Sequence, residues 1–190
     1  MASLDGKVAL VTGGGTGIGS AIAEAFAGAG ARVAVTGRRA APLTQTVQRV
    51  TDGGGTALAV CADVADLPAM TAAAEKTLDR FGRLDIVVAN AGIMPADRPV
   101  LEAGASALTR VLAAELREFG IAVNELIPGP TRTPVMGAGD EHDGEAERRW
   151  AERGEWFKEP ADVARLALFV ATLPSRGPTG QAFSLAGRLL

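Results

Sequence analysis

Val8-Ala9-Leu10-Val11-Thr12-Gly13-Gly14-Gly15-Thr16-Gly17-Ile18-Gly19 decides the fold of this chain. An apolar run rich in β-branched residues enters a glycine-rich turn. The turn leads directly into Ile18, Ala21, Ile22, Ala25 and Phe26, spaced i, i+3, i+4, i+7 and i+8 like one face of a helix. Strand, turn and helix in this order set the unpaired N–H groups and the positive dipole end of the helix beside the carboxyl end of the strand. That arrangement is an anion site suited to a pyrophosphate. Gly13 can take the tight turn, Gly17 removes a side chain where backbone must approach phosphate, and Gly19 lets the helix pack closely on the strand. The spacing is G-x-x-x-G-x-G rather than G-x-G-x-x-G, and a glycine run by itself also reads as a flexible loop. The flanking strand and amphipathic helix favour nucleotide binding, with Gly13, Gly15, Thr16, Gly17, Ile18 and Gly19 as contact residues.

Composition bounds the rest. At 190 residues the chain reads as a single domain spanning 1–190, and 47% hydrophobic residues are enough for a sizeable core. A net charge of −3 supplies no basic patch, which argues against nucleic acid as a partner. One cysteine, Cys61, supports no disulfide framework and fits a reducing cytoplasm. The opening residues, with Asp5 and the early glycine turn, do not read as a signal peptide, and no apolar run is long enough to span a bilayer.

Farther along, apolar strands alternate with amphipathic helices: strands at 32–36, 56–61, 85–89, 121–127 and 182–185, and helices ending at Phe81 and Gly120 or beginning at Pro160. Continuous apolar strands in such an alternation imply a parallel sheet covered on both faces. After the second strand comes Gly37-Arg38-Arg39. An acid at this point would take both ribose hydroxyls, but none is present, and a guanidinium can pair with a 2′-phosphate. Two solvated arginines on a turn are the alternative; the missing acid favours NADP(H) over NAD(H). By itself Asp63 reads as an N-cap or turn residue, and Cys61 as a small buried hydrophobe. The stretch Asp140-Glu141-His142-Asp143 holds the only histidine and reads as an acidic solvated loop, not a metal site. Trp150, Trp156 and Phe157 read as plugs for core gaps or an interface.

Thr12-Gly13-x-x-x-Gly17-Ile18-Gly19 near the amino terminus resembles the short-chain dehydrogenase/reductase family. The resemblance implies an α/β fold: a Rossmann-like doubly wound parallel sheet in three layers. It implies an oxidoreductase that binds a dinucleotide and moves hydride to or from a small carbonyl or alcohol. Asp63-Val64 matches the family's pair against the adenine ring, and Asn90-Ala91-Gly92 its strand-end motif, which steadies the sheet and lines the cofactor groove. Pro128-Gly129-Pro130-Thr131-Arg132-Thr133 resembles the loop beside the nicotinamide, with Thr133 as a carboxamide or phosphate contact. Residues 137–153 fall where the family has a mobile lid over substrate. Dimers or tetramers through the helix holding Leu108–Phe119 and the last strand are also implied.

The family's reaction needs a proton donor: a tyrosine, assisted by a lysine four residues later, a serine and a helical asparagine. This chain has no tyrosine, and its only lysines are Lys7, Lys76 and Lys158. With Leu108-Thr109-Arg110 aligned to the family's helix, the tyrosine and lysine positions fall on Arg98 and Glu102. Arg98 stays charged and cannot cycle a proton, and Glu102 brings the wrong sign to stabilise a phenolate. The stretch 93–99 has no room for a helix and a strand, so about one such unit, roughly 55–60 residues, is missing relative to the family. The expected closure pairs strand 121–127 directly with strand 85–89; the alternative is a sheet with an unfilled slot. Three readings stay open: an NADP-dependent reductase, a nucleotide-binding or interaction protein without turnover, and an internally deleted product without a role.

Overall fold

The computed structural model describes residues 3–92, 99–134, 144–152, 154–174 and 176–186. Among these residues the strands are β1 (Val8–Thr12), β2 (Arg32–Gly37), β3 (Thr56–Cys61), β4 (Ile86–Val88), β5 (Glu125–Ile127) and β6 (Ala182–Ser184). The helices are α1 (Gly17–Gly28), α2 (Ala40–Asp52), α3 (Leu67–Phe81), α4 (Pro99–Leu116), α5 (Gly144–Glu152) and α6 (Pro160–Ala171). The chain divides into two compact units, Met1–Gly92 with Pro160–Ala171, and Ile93–Glu159 with Thr172–Leu190.

In the first unit β3, β2, β1 and β4 form a parallel sheet in that order. The chain winds outward from β1 to β3 and then returns to β4 on the other side of β1. The order therefore reverses between β1 and β4, the point where open α/β sheets bind ligands outside their strands' carboxyl ends. All five residues of β1 are buried. Alternation sends them to both faces: Val8 and Leu10 cluster with Ala34 and with Phe81 of α3, while Ala9, Val11, Val33 and Val35 are equally enclosed. The buried side chains of α1 and α2 include Ile22, Phe26 and Leu43, and α1 packs against both α2 and α6. Helices on two faces of a parallel sheet are the doubly wound arrangement expected.

The cover is incomplete at the margins. Val87 of β4 is 60% exposed, and β3, the other edge, is largely open along its length. Cys61, expected to be buried, is exposed because it closes this edge strand. Local signals set the helix ends: Asp66 accepts the Ala69 N–H at 3.0 Å to start α3, and Gly82 at φ +81° ends it. Among the described residues no helix is long and apolar enough to cross a membrane.

The second unit contains α4, a 3₁₀ turn over Arg117–Phe119 closed by Gly120 at φ +69°, α5, and the parallel pair β5–β6. Strand 121–127 was expected beside β4. Instead it shortens to Glu125–Ile127 and pairs with β6. The cause is local. Val123 binds the Thr179 hydroxyl and the Gly180 N–H, and the Asn124 side chain binds the Pro178 carbonyl and the Gln181 N–H. These bonds commit the approach to β5 to the chain leading into β6.

Asp85 anchors the start of β1. Its carboxylate accepts the Val8 N–H at 2.9 Å and a bidentate pair from Arg83, with Lys7 at 3.8 Å. Burial works to raise its pKa, but the Arg83 and Val8 hydrogen bonds and the charges of Arg83 and Lys7 outweigh it, so Asp85 titrates below the usual aspartate range. As pH falls, the unfolded chain takes this proton first. The Asp85 contribution is therefore present above the ordinary aspartate pKa and is lost as pH falls through the lower folded value. Asp85→Asn is expected to lower stability by about 1–2 kcal/mol at pH 7. Urea melts at pH 7 and pH 3 should show the gap between the two proteins closing at the lower pH.

Candidate functional site

At the carboxyl end of β1 the chain turns through Gly13 at φ +64° and enters α1 through Gly17 at φ +55°, a backbone conformation that favours glycine at both positions. Thr16 occupies the N-cap position with extended backbone but makes no side-chain cap, and the first turn of α1 carries no acid. The N–H groups at this end therefore receive no side-chain capping bond from Thr16. Gly19 is where helix and turn meet: a Cβ there would stand 2.4 Å from the Gly13 carbonyl oxygen and 2.5 Å from Asn90 Nδ2.

The turn is tied to the end of β4. Asn90 Nδ2 donates to the Thr12 carbonyl at 2.9 Å. The Thr12 hydroxyl accepts the Asn90 and Ala91 N–H groups, both at 3.0 Å, and donates to the Val88 carbonyl at 3.3 Å. A Cβ on Gly13 would lie 2.9 Å from the Ala91 Cα, so Asn90 and Ala91 form one wall of the turn. Gly92 follows, exposed.

Arg38 and Arg39 leave the end of β2 exposed, with Arg39 at the N-cap of α2. Among the described residues neither guanidinium has a hydrogen-bond or ion-pair partner. Their neighbour α2 touches the glycine turn directly: a Cβ on Gly15 would meet the Pro42 Cβ at 3.0 Å. After β3, the half-buried Asp63 accepts the Ala65 N–H at 3.0 Å and so acts as a turn residue, while Val64 is 47% exposed.

The second unit holds Pro128, Gly129 and Thr133. Gly129 has φ +65°, and Pro128 and Thr133 are half-buried. Residues 130–132 are laced to Lys158: the Lys158 N–H donates to Pro130 at 3.0 Å, and the Arg132 N–H donates to Lys158 at 2.8 Å. The Lys158 ammonium is fully enclosed. It donates to the Trp156 carbonyl at 2.9 Å, lies 3.7 Å from the Glu155 carboxylate and 4.8 Å from the Trp156 ring centre, and would be 3.1 Å from a Cβ on Gly129. A charge in such a place needs its partners. Trp156, expected to plug a core gap or an interface, is 52% exposed, and its ring lies over this lysine. Arg132 is bound to Glu159 at 2.7 Å and to Glu147; the Glu159 bond is the main reason its pKa is raised. Part of the stretch expected as a lid is helical, α5.

The family model described as short chain dehydrogenase matches residues 7–104, and the model described as Enoyl-(Acyl carrier protein) reductase matches residues 100–187. The chain belongs to the short-chain dehydrogenase/reductase family. Versicolorin reductase stcU of Emericella nidulans is 47% identical over 94 residues, 48% of this chain and 35% of the relative. The uncharacterized oxidoreductase YxbG of Bacillus subtilis is 35% identical over 128 residues, 67% of this chain and 47% of the relative. The matches thus span between about a third and a half of these relatives' length. A short-chain dehydrogenase of Burkholderia cenocepacia, solved in complex with NADP, superposes with a TM-score of 0.83 at 29% identity, covering 97% of this chain and 98% of the other. A short-chain type dehydrogenase/reductase of Mycobacterium marinum gives 0.85 at 25% identity, covering 97% and 96%.

Within this short-chain dehydrogenase/reductase, the first unit brings together Gly13, Gly15, Thr16, Gly17, Ile18, Gly19, Asn90 and Ala91 around one turn, with Pro42 and Leu43 of α2 against Gly15. Lys158 is a structural centre that periodicity does not mark; Thr12 opens the motif quoted from the sequence, but its bonds to Asn90 and Ala91 are seen only in the structure. Arg98, His142 and the side chain of Glu102 lie outside the described residues.

Proposed function

We propose that this chain binds NADP(H) in its first unit and does not turn carbonyls over. The observation that carries the reading is the pair of guanidinium groups, Arg38 and Arg39, without a partner among the described residues, at the start of a helix that abuts the glycine turn. A dinucleotide fits the residues present. The end of α1, without a side-chain cap or an acid, takes the pyrophosphate; Arg38 and Arg39 take the 2′-phosphate; Asp63 and Val64 face the adenine; Gly92 continues the wall made by Asn90 and Ala91.

When bound, NADPH supplies hydride to a carbonyl; the protein must then supply a proton. No tyrosine exists in this chain to do so. Loss of general acid catalysis alone removes about 10²–10⁴ in rate. A lost helix–strand unit would account for the missing tyrosine, and the two family matches meet at residues 100–104, next to the stretch where that unit would sit. A cytoplasmic location, a small carbonyl or alcohol as ancestral substrate, and self-association belong to the same reading.

Fluorescence titration with NADPH, followed by addition of carbonyl compounds, tests it. Saturable binding with no carbonyl-dependent oxidation is the expected result. Oxidation on adding a ketone or aldehyde overturns the absence of turnover, and no saturable binding overturns the cofactor assignment.

A further inference from the structure

Behind the glycine turn lies a polar network that the cofactor reading does not use. Thr46, on α2, is completely buried. Its hydroxyl lies 3.3 Å from the Gly15 carbonyl, 3.2 Å from the Pro42 carbonyl and 3.1 Å from the Ser20 hydroxyl, sharing its one hydrogen among them. Arg49, one helical turn on, donates to Thr46 at 3.1 Å, to Ser20, and to Glu24 at 2.7 Å. The Ser20 hydroxyl in turn donates to Glu24 at 3.0 Å. Ser20 and Glu24 belong to α1; Thr46 and Arg49 belong to α2.

Pro42, Thr46 and Arg49 fall on one face of α2 by their spacing. That face meets the turn at Gly15 and α1 at Ser20 and Glu24. The network therefore fixes where α2 begins relative to the turn, and α2 begins at Ala40 with Arg39 at its N-cap. Apolar packing would hold two helices together but leave their sliding soft, whereas a satisfied buried polar network admits one register.

We propose that Thr46, backed by Ser20, Arg49 and Glu24, is a positioning residue that sets the distance between the glycine turn and the Arg38–Arg39 pair, and through it the preference for a 2′-phosphorylated dinucleotide. This rests on the assignment of NADP(H) to the first unit. NADPH must satisfy the turn and the arginines together; NADH needs only the turn. An error in their spacing penalises the first ligand and spares the second.

Dissociation constants for NADPH and NADH are measured for the wild-type chain, Thr46→Val, Thr46→Ser and Arg49→Met. Thr46→Val is expected to weaken NADPH about tenfold and NADH less than about twofold, with Thr46→Ser within about twofold of wild type for both. Arg49→Met, at a side chain 46% exposed, tests the same network without altering a buried site, and is expected to weaken NADPH selectively by about threefold. An equal loss for the two cofactors, as a purely structural role would give, overturns the proposal, and so does an unchanged preference in Thr46→Val and Arg49→Met. A wild-type chain with no preference for NADPH overturns the cofactor assignment and the proposal with it.

Discussion

Gly19→Ala is expected to weaken NADPH binding about 100-fold and to lower stability by about 1–3 kcal/mol. The added methyl would lie 2.4 Å from the Gly13 carbonyl oxygen and 2.5 Å from Asn90 Nδ2. Neither neighbour can move cheaply. The Gly13 oxygen is backbone in a turn at φ +64°, and Asn90 Nδ2 is already spent on the Thr12 carbonyl at 2.9 Å. Relief requires either that α1 back away from the turn, which moves its N–H groups off the phosphate position, or that Asn90 release Thr12, which opens the β1–β4 junction. Gly28→Ala is the control: it lies in the same helix and an added Cβ meets nothing within 4 Å. That change is expected to leave NADPH binding intact and to raise stability by about 0.5–1 kcal/mol. Thermal melts and NADPH titrations of the two proteins side by side decide it. If Gly19→Ala binds as tightly as wild type, the packing of α1 on the turn does not shape the anion site.

The parts of this molecule legible in its sequence are those governed by short-range pattern. The strand Thr56–Cys61 and the helix Leu67–Phe81 lie where their periodicity puts them, and Gly120 closes the helical segment as its position suggests. α2 shows why a polar residue can hide in such a pattern: its buried positions Leu43, Thr46 and Val50 keep helical spacing, but the middle one is a threonine with a tertiary role. What periodicity does not carry is partner choice. β5 is short and joined to β6 because Thr179 and Pro178 capture residues 123 and 124, some 55 positions away. The burial of Cys61 depends on whether β3 is an edge, which strand order decides. The Thr12–Asn90 tie joins residues 78 apart, and the enclosure of Lys158 follows from the path of the chain around Pro130. The turn that organises the first unit was thus readable as a motif, while the bonds that hold it rigid were not.

Replacing Arg38 and Arg39 together by alanine is expected to raise the dissociation constant for NADPH about 100-fold while leaving that for NADH within about threefold. The two side chains are exposed and, among the described residues, unpaired, so their removal strands no partner and should leave the melting temperature within about 2 °C of wild type. The loss then reports on the ligand and not on the fold. Each guanidinium offers a planar fork to phosphate oxygens, and a hydrogen bond to a charged group contributes about 1.5–3 kcal/mol; exposure to water and salt keeps the pair toward the lower end. Two further dependences follow from the same charges. Raising ionic strength should weaken NADPH more than NADH in the wild type and equally in the double variant. The 2′-phosphate gains a proton near pH 6, so the wild-type preference for NADPH should decline below that pH and the variant should show no such trend. An NADPH preference that persists in the double variant would move recognition of the 2′-phosphate away from the end of β2, and with it the case for NADP(H) over NAD(H).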